Sequence, residues 1–156
     1  MKKMILPNDV LLGEVERLLR GGTTVTIKTK GYSMLPFIVG GRDSVVLKPY
    51  TERPLPGDIA LARLNGNIYV LHRVLSVFND SKVVLMGDGN IKGREYCCID
   101  DLCGKAAMII RNGRGVKTDS RWFLCCSYIW LKLLPVRRIL LAVYRILFIR
   151  KVKSVI

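Results

Sequence analysis

Turn signals recur so often in this chain that no long helix fits between residues 23 and 118. Gly21-Gly22, Gly31, Asn65-Gly66, Asn79-Asp80-Ser81, Gly87-Asp88-Gly89-Asn90 and Asn112-Gly113-Arg114-Gly115 cut it into short pieces. Glycine and asparagine supply the positive backbone angles that tight turns need. The pieces between them alternate apolar and polar residues or carry β-branched runs, so they read as strands over 23–30, 44–48, 58–63, 68–78, 82–86 and 102–111. Residues 102–111 form the last strand, closed by the Asn112 to Gly115 turn. Before the first strand, Val10, Leu11, Val15, Leu18 and Leu19 line one side of a helix that Asn8 or Asp9 can cap and Gly21-Gly22 stops. The expected fold class is mainly β, with one N-terminal helix.

Charge divides the chain differently. The net charge is +14, yet residues 111–156 hold 11 of the 26 Lys/Arg and only one of the 12 Asp/Glu. The same stretch is rich in aliphatic and aromatic residues. Positive charge attracts nucleic acid or anionic lipid, and apolar content favours lipid, so no nucleic-acid partner is expected. Three regions follow: an N-terminal helix over 1–22, a β domain over 23–118, and a basic helical tail over 119–156.

The tail is expected to lie on anionic membrane lipids with Trp122, Trp130, Arg137, Arg138 and Arg145 at the interface. Its longest uncharged run, residues 122–131, falls short of the ~20 residues of a spanning helix. Burying Arg137-Arg138 in mid-bilayer would cost about 5–7 kcal/mol, so two amphipathic helices hinged near Pro135 are expected instead. No secretory signal opens the chain, which points to a membrane-associated protein on the cytoplasmic face.

Five cysteines are an odd number, two adjacent pairs among them, and no Cys/His zinc spacing occurs. Reduced thiols, no metal and no cofactor are expected, with Cys125 and Cys126 as candidates for lipidation.

Three residues can carry chemistry. Ser33 sits where a strand meets a sharp turn, with Gly31 two before it and Pro36 three after. A nucleophilic serine needs such a turn, where its hydroxyl stands clear and backbone N–H groups (that of Met34 among them) can hold an oxyanion. Gly31 leaves room for an approaching peptide. His72, the only histidine, lies on the 68–78 strand facing with Val70 and Val74, and an imidazole suits a general base near neutral pH. Asp88, in the loop after the next strand, is expected to reach that imidazole and stabilise its protonated form.

Several stretches resemble the signal peptidase I family, in order. Gly31-Tyr32-Ser33-Met34-Leu35-Pro36 looks like the nucleophile box, Gly57-Asp58-Ile59-Ala60 the following strand, and Leu71-His72-Arg73-Val74 the box that bears the base. Gly87-Asp88-Gly89-Asn90 resembles the later Gly-Asp box and Gly104-Lys105-Ala106-Ala107 the closing strand. The likeness spans about residues 23–111. It implies the family's coiled β fold and a serine endopeptidase acting on leader or signal segments of peptides or proteins. Bacterial housekeeping members carry a lysine base; this chain, with His72, is similar to the archaeal and endoplasmic-reticulum type.

The chain departs from the pattern where such members carry a further aspartate: here Ile91-Lys92-Gly93-Arg94-Glu95 stands, making Glu95, Asp100 and Asp101 rivals of Asp88. An amphipathic helix also stands where such enzymes usually carry a membrane anchor. Two other readings compete. A non-catalytic, basic membrane-binding protein could use the same scaffold. A self-cleaving repressor would need a helix-turn-helix before the serine, and the stretch before Ser33 offers one helix.

Overall fold

Helix α1 (Asn8–Arg20) ends where Gly22 takes a φ of 88° and the N–H groups of Gly21, Gly22 and Thr23 return to Arg17, Leu19 and Leu18. A positive φ just beyond the cap residue of a helix is glycine's usual place. Val15 and Leu19 point into the core; Gly104 lets the helix lie close, because a side chain there would meet Leu19 at 2.8 Å. This computed structural model describes residues 8–79 and 81–149. The side chains of Asn8 and Asp9, the expected caps, lie outside what it describes, and Arg150, Lys151 and Lys153 of the tail lie outside the described residues.

Among the described residues eight strands follow: β1 (Val25–Lys28), β2 (Ser44–Lys48), β3 (Ile59–Leu64), β4 (Ile68–Phe78), β5 (Lys82–Met86), β6 (Glu95–Cys98), β7 (Leu102–Arg111) and β8 (Arg114–Lys117). All pair antiparallel in the order β1-β2-β7-β3-β4-β5-β6, with β8 on β7, and the sheet curls into a half-barrel. Irregular register at Val46/Leu47, Leu61/Ala62 and Val74/Ser76 supplies the extra local twist that such curling needs.

The mainly β expectation holds, but β7 is not the last strand. Asn112 and Gly113, with φ of 49° and 76°, turn the chain through a two-residue hairpin that pairs Arg111 with Arg114. Positive φ at both central residues is the hairpin geometry whose twist matches the strands. Strand β6 was also not expected. Its Glu-Tyr-Cys-Cys sequence on a sheet edge offers no apolar alternation to read.

Three apolar clusters fill the fold, the third beneath the C-terminal helices. The first joins Val15, Leu19, Met34, Ile38, Leu47 and Leu61 under α1; the second lies around Ala60, Val74, Leu85 and Leu102.

Ser120 caps helix α2 (Arg121–Lys132), its hydroxyl accepting the Phe123 N–H at 3.3 Å. A short turn over Leu134–Val136 then places Pro135 before helix α3 (Arg137–Tyr144), which runs on through a wider turn, Arg145–Ile149. The inner face of this tail packs on the β domain: Phe123 joins the first cluster, while Trp130 and Leu141 close over Leu35. No helix among the described residues is long and apolar enough to cross a membrane.

Candidate active site

The stretch from Thr29 to Asp43 leaves β1 and returns to β2 as a loop with a bonded neck. Thr29 donates from N and Oγ1 to the Asp43 carbonyl, Gly41 N–H to the Thr29 carbonyl, and Gly40 N–H to the Gly31 carbonyl at 3.1 Å. A side chain at Gly40 would run into the Gly31 backbone, and Gly31 itself has a φ of 76°. Asp43, fully buried, braces the loop by accepting the Val39 N–H at 2.9 Å and ion pairs from Arg42 and Arg111. Burial pushes its carboxyl pKa up. Bonds from Arg42, Arg111 and the Val39 amide outweigh that, and the net shift is below the ordinary aspartate value.

Ser33 stands half-buried at the tip of this loop, on the wall of a cleft of about 580 Å³. His72 lines the same cleft from β4, and Gly31 and Met34 line it beside the serine. The opposite wall is α1, with Leu11, Leu12, Val15 and Leu18. That wall is pinned by Glu16, which accepts the Tyr69 hydroxyl at 2.7 Å and pairs with Arg20 and Arg63. Burial, then the Glu16 bond, pushes the Tyr69 phenol up to about 12, so it remains a hydrogen-bond donor at neutral pH.

His72 is 5 % exposed, and its Nδ1 lies 2.9 Å from Glu95 Oε2. Among the described residues no hydrogen bond joins the ring to Ser33. Catalytic hydrogen bonds of that kind often tighten only in the complex with substrate.

Asp88 does not meet the imidazole, against expectation. Arg73, pointing the other way from His72 on β4, takes both its oxygens in a fork at 2.7 Å, with both side chains buried. The reason is local. Arg73, fully buried under the rings of Phe37 and Phe123, finds in Asp88 the carboxylate that offsets its charge. Of the other rivals, Asp101 accepts the Cys98 N–H with its carboxylate at 2.9 Å, and Asp100 stands beside it in the short turn Ile99–Asp101.

The Gly87–Asn90 loop instead abuts the turn that holds Ser33. Gly89 N–H donates to the Ser33 carbonyl at 2.7 Å, Asp88 N–H approaches Met34 Sδ at 3.5 Å, and side chains at Gly87 or Gly89 would strike the carbonyls of Ser33 or Tyr32.

Of the residues expected at a lipid surface, Trp122, Arg138 and Arg145 are exposed. Trp130 and Arg137 are turned inward, at 8 % and 1 % exposure. Trp130 Nε1 donates to the Asp88 carbonyl at 3.1 Å, and Arg137 lies over the Trp130 ring. Their i to i+7 spacing across Pro135 gave no sign of that inward turn. Neither protein-family models nor curated proteins offer a match to the chain.

Proposed function

We propose that this protein is a serine endopeptidase, similar in its chemistry to the Ser-His signal peptidases, with Ser33 as nucleophile, His72 as general base and Glu95 as the carboxylate behind it. One observation carries the reading: Ser33 and His72 line a single cleft, while Glu95 occupies the imidazole's Nδ1. That bond fixes the tautomer that leaves Nε2 as acceptor for a serine proton. Ser33 Oγ attacks the peptide carbonyl and His72 takes its proton. Collapse of the tetrahedral intermediate breaks the C–N bond, with His72 returning the proton to the leaving amine. Water, activated by the same base, then releases the acyl group. Backbone N–H groups of the turn at Ser33 and Met34 would hold the oxyanion.

The cleft suits an extended peptide. Among the described residues, strand β1 pairs only with β2, and residues 68–72 of β4 pair with β3 alone, the pairing of β4 with β5 beginning at Arg73. Both free edges border the cleft, so a substrate strand can take main-chain bonds there. The likeness to the family suggests a small side chain before the cleaved bond and a leader or signal segment as substrate. Lys105, a conceivable alternative base, is held by Asp58 at 2.7 Å. The test is Ser33→Ala in a cleavage assay on a quenched fluorescent peptide with Ala before the scissile bond. A loss on the order of a millionfold supports the assignment; activity within tenfold of wild type refutes it.

The tail adds a location. Trp122, Tyr128, Ile139, Val143, Ile146 and Phe148 are exposed beside Arg138 and Arg145. Apolar and aromatic side chains ringed by cations suit the headgroup region of an anionic membrane, which would hold the peptidase near membrane-bound leader segments.

A further inference from the structure

We propose that Trp130 is a positioning residue for Ser33, acting through the single peptide unit that joins Asp88 to Gly89. The proposal rests on the peptidase reading of Ser33 and adds to it a control element from the C-terminal helices. Both ends of that unit are bonded. Its carbonyl accepts Trp130 Nε1 at 3.1 Å, and its N–H donates to the Ser33 carbonyl at 2.7 Å. A peptide unit is planar and stiff, so a shift at one end is felt at the other. Hydrogen bonds in series also polarise and strengthen one another in a buried setting.

Ser33 needs such support. It lies in a loop, outside any strand or helix, and its backbone carbonyl is held by the Gly87–Asn90 loop. That loop faces two ways. Its amides at Asp88 and Gly89 serve the nucleophile turn, and its carbonyls at Asp88 and Asn90 receive Trp130 and Arg137 from the tail. Arg137 in turn steadies Trp130: Nη2 donates to the Trp130 carbonyl at 3.2 Å and the guanidinium stands 5.1 Å from the ring centre. The tail is thus wedged beneath the nucleophile. A displacement of about 1 Å at a reacting group can cost two powers of ten in rate.

The test compares Trp130→Phe, which keeps a ring but removes the donor, with Leu124→Ala on the exposed side of the same helix, both in the full chain. With the quenched Ala-containing peptide, Trp130→Phe is expected to lower kcat about tenfold, the effect of one lost buried hydrogen bond, and to leave KM within twofold. Hydrogen exchange at the Gly89 amide is expected to quicken about tenfold. Leu124→Ala should change neither.

Arg137→Lys, which keeps the cation but not the fork to Trp130 and Asn90, is the second variant, with the same pattern expected. Turnover by both variants within twofold of wild type overturns the proposal. So does a kcat loss that only tracks the unfolded fraction in circular dichroism, or an unchanged Gly89 exchange rate. Should Ser33→Ala still cleave the peptide, the peptidase reading fails. Gly89 exchange alone then decides the coupling, quickening in its favour and constancy against it.

Discussion

Glu95 Oε2 stands 2.9 Å from His72 Nδ1, although the two residues lie on strands separated by β5. Leu85 pairs with Val74 on one side and with Glu95 on the other, so the sheet itself carries Glu95 toward the row that holds His72. The carboxylate is partly open to solvent, its side chain 27 % exposed, while the imidazole is buried. Glu95→Gln keeps the shape and removes the charge that stabilises an imidazolium. We expect kcat to fall by about two to four powers of ten with KM little changed. Steady-state kinetics on the quenched peptide decides this, and a loss below threefold would take Glu95 out of the catalytic set.

Asp88→Asn should behave differently. Its carboxylate answers a fully buried Arg73, so the substitution leaves a buried cation short of its partner, at about 3–5 kcal/mol of stability. Denaturant unfolding is expected to show that loss first, with any change in kcat secondary and arising from the shared loop. A fall in kcat of a hundredfold or more in a protein of wild-type stability would return the third role to Asp88.

The contrast between these carboxylates marks what the sequence made legible. Six of the eight strands were readable because glycine and Asn-Gly turns bracket apolar runs, and Ser33 and His72 stood out as a turn serine and a lone histidine. Strand β6 was not readable, since Glu95-Tyr96-Cys97-Cys98 lies on an edge and buries little. With it went the pairing that carries Glu95 to His72. Arg73 hid its claim on Asp88 for a related reason: neighbours on a strand face opposite ways, and the partner beneath the sheet is a tertiary fact. The tail's amphipathic pattern marked two faces without saying which residues turn inward; Trp130 and Arg137 found partners in the Asp88 and Asn90 carbonyls.

Asp43 ties acid sensitivity to the loop that holds Ser33. Its pKa lies below the ordinary value in the folded state, so its contribution is fully present above the unfolded value near 3.8 and is lost as pH falls through the lower, folded one. Glu16 has the same sign: burial opposes the shift, and the bonds from Tyr69 and Arg20 outweigh it. Stability is therefore expected to decline below about pH 4, and Asp43→Asn to lower it near pH 7 while flattening that acid limb. Thermal unfolding at several pH values measures both. An Asp43→Asn protein whose acid limb is as steep as wild type would mean that other carboxylates set it.

Lipid binding by the tail needs a test that spares its inner face. Deleting residues 121–156 would remove the bonds from Trp130 and Arg137 to the Gly87–Asn90 loop together with any membrane contact, so lost activity would be uninterpretable. Arg138 and Arg145 are exposed, and Ile139 and Val143 are exposed on the same helix. Each cation near an anionic surface contributes about 1 kcal/mol, so Arg138→Gln with Arg145→Gln should weaken partition onto vesicles containing anionic phospholipid by roughly 30-fold. Binding to purely zwitterionic vesicles should barely change. Added salt should reproduce the loss, because the attraction falls off within a Debye length. Ile139→Glu with Val143→Glu should abolish binding to both vesicle types while leaving the peptide assay in solution intact, since neither side chain is turned inward. Sedimentation with vesicles reads all four outcomes. Equal binding of the arginine double variant would refute the electrostatic part of the lipid reading. A C-terminus open to protease on the far side of sealed vesicles would replace the one-sided arrangement with a span.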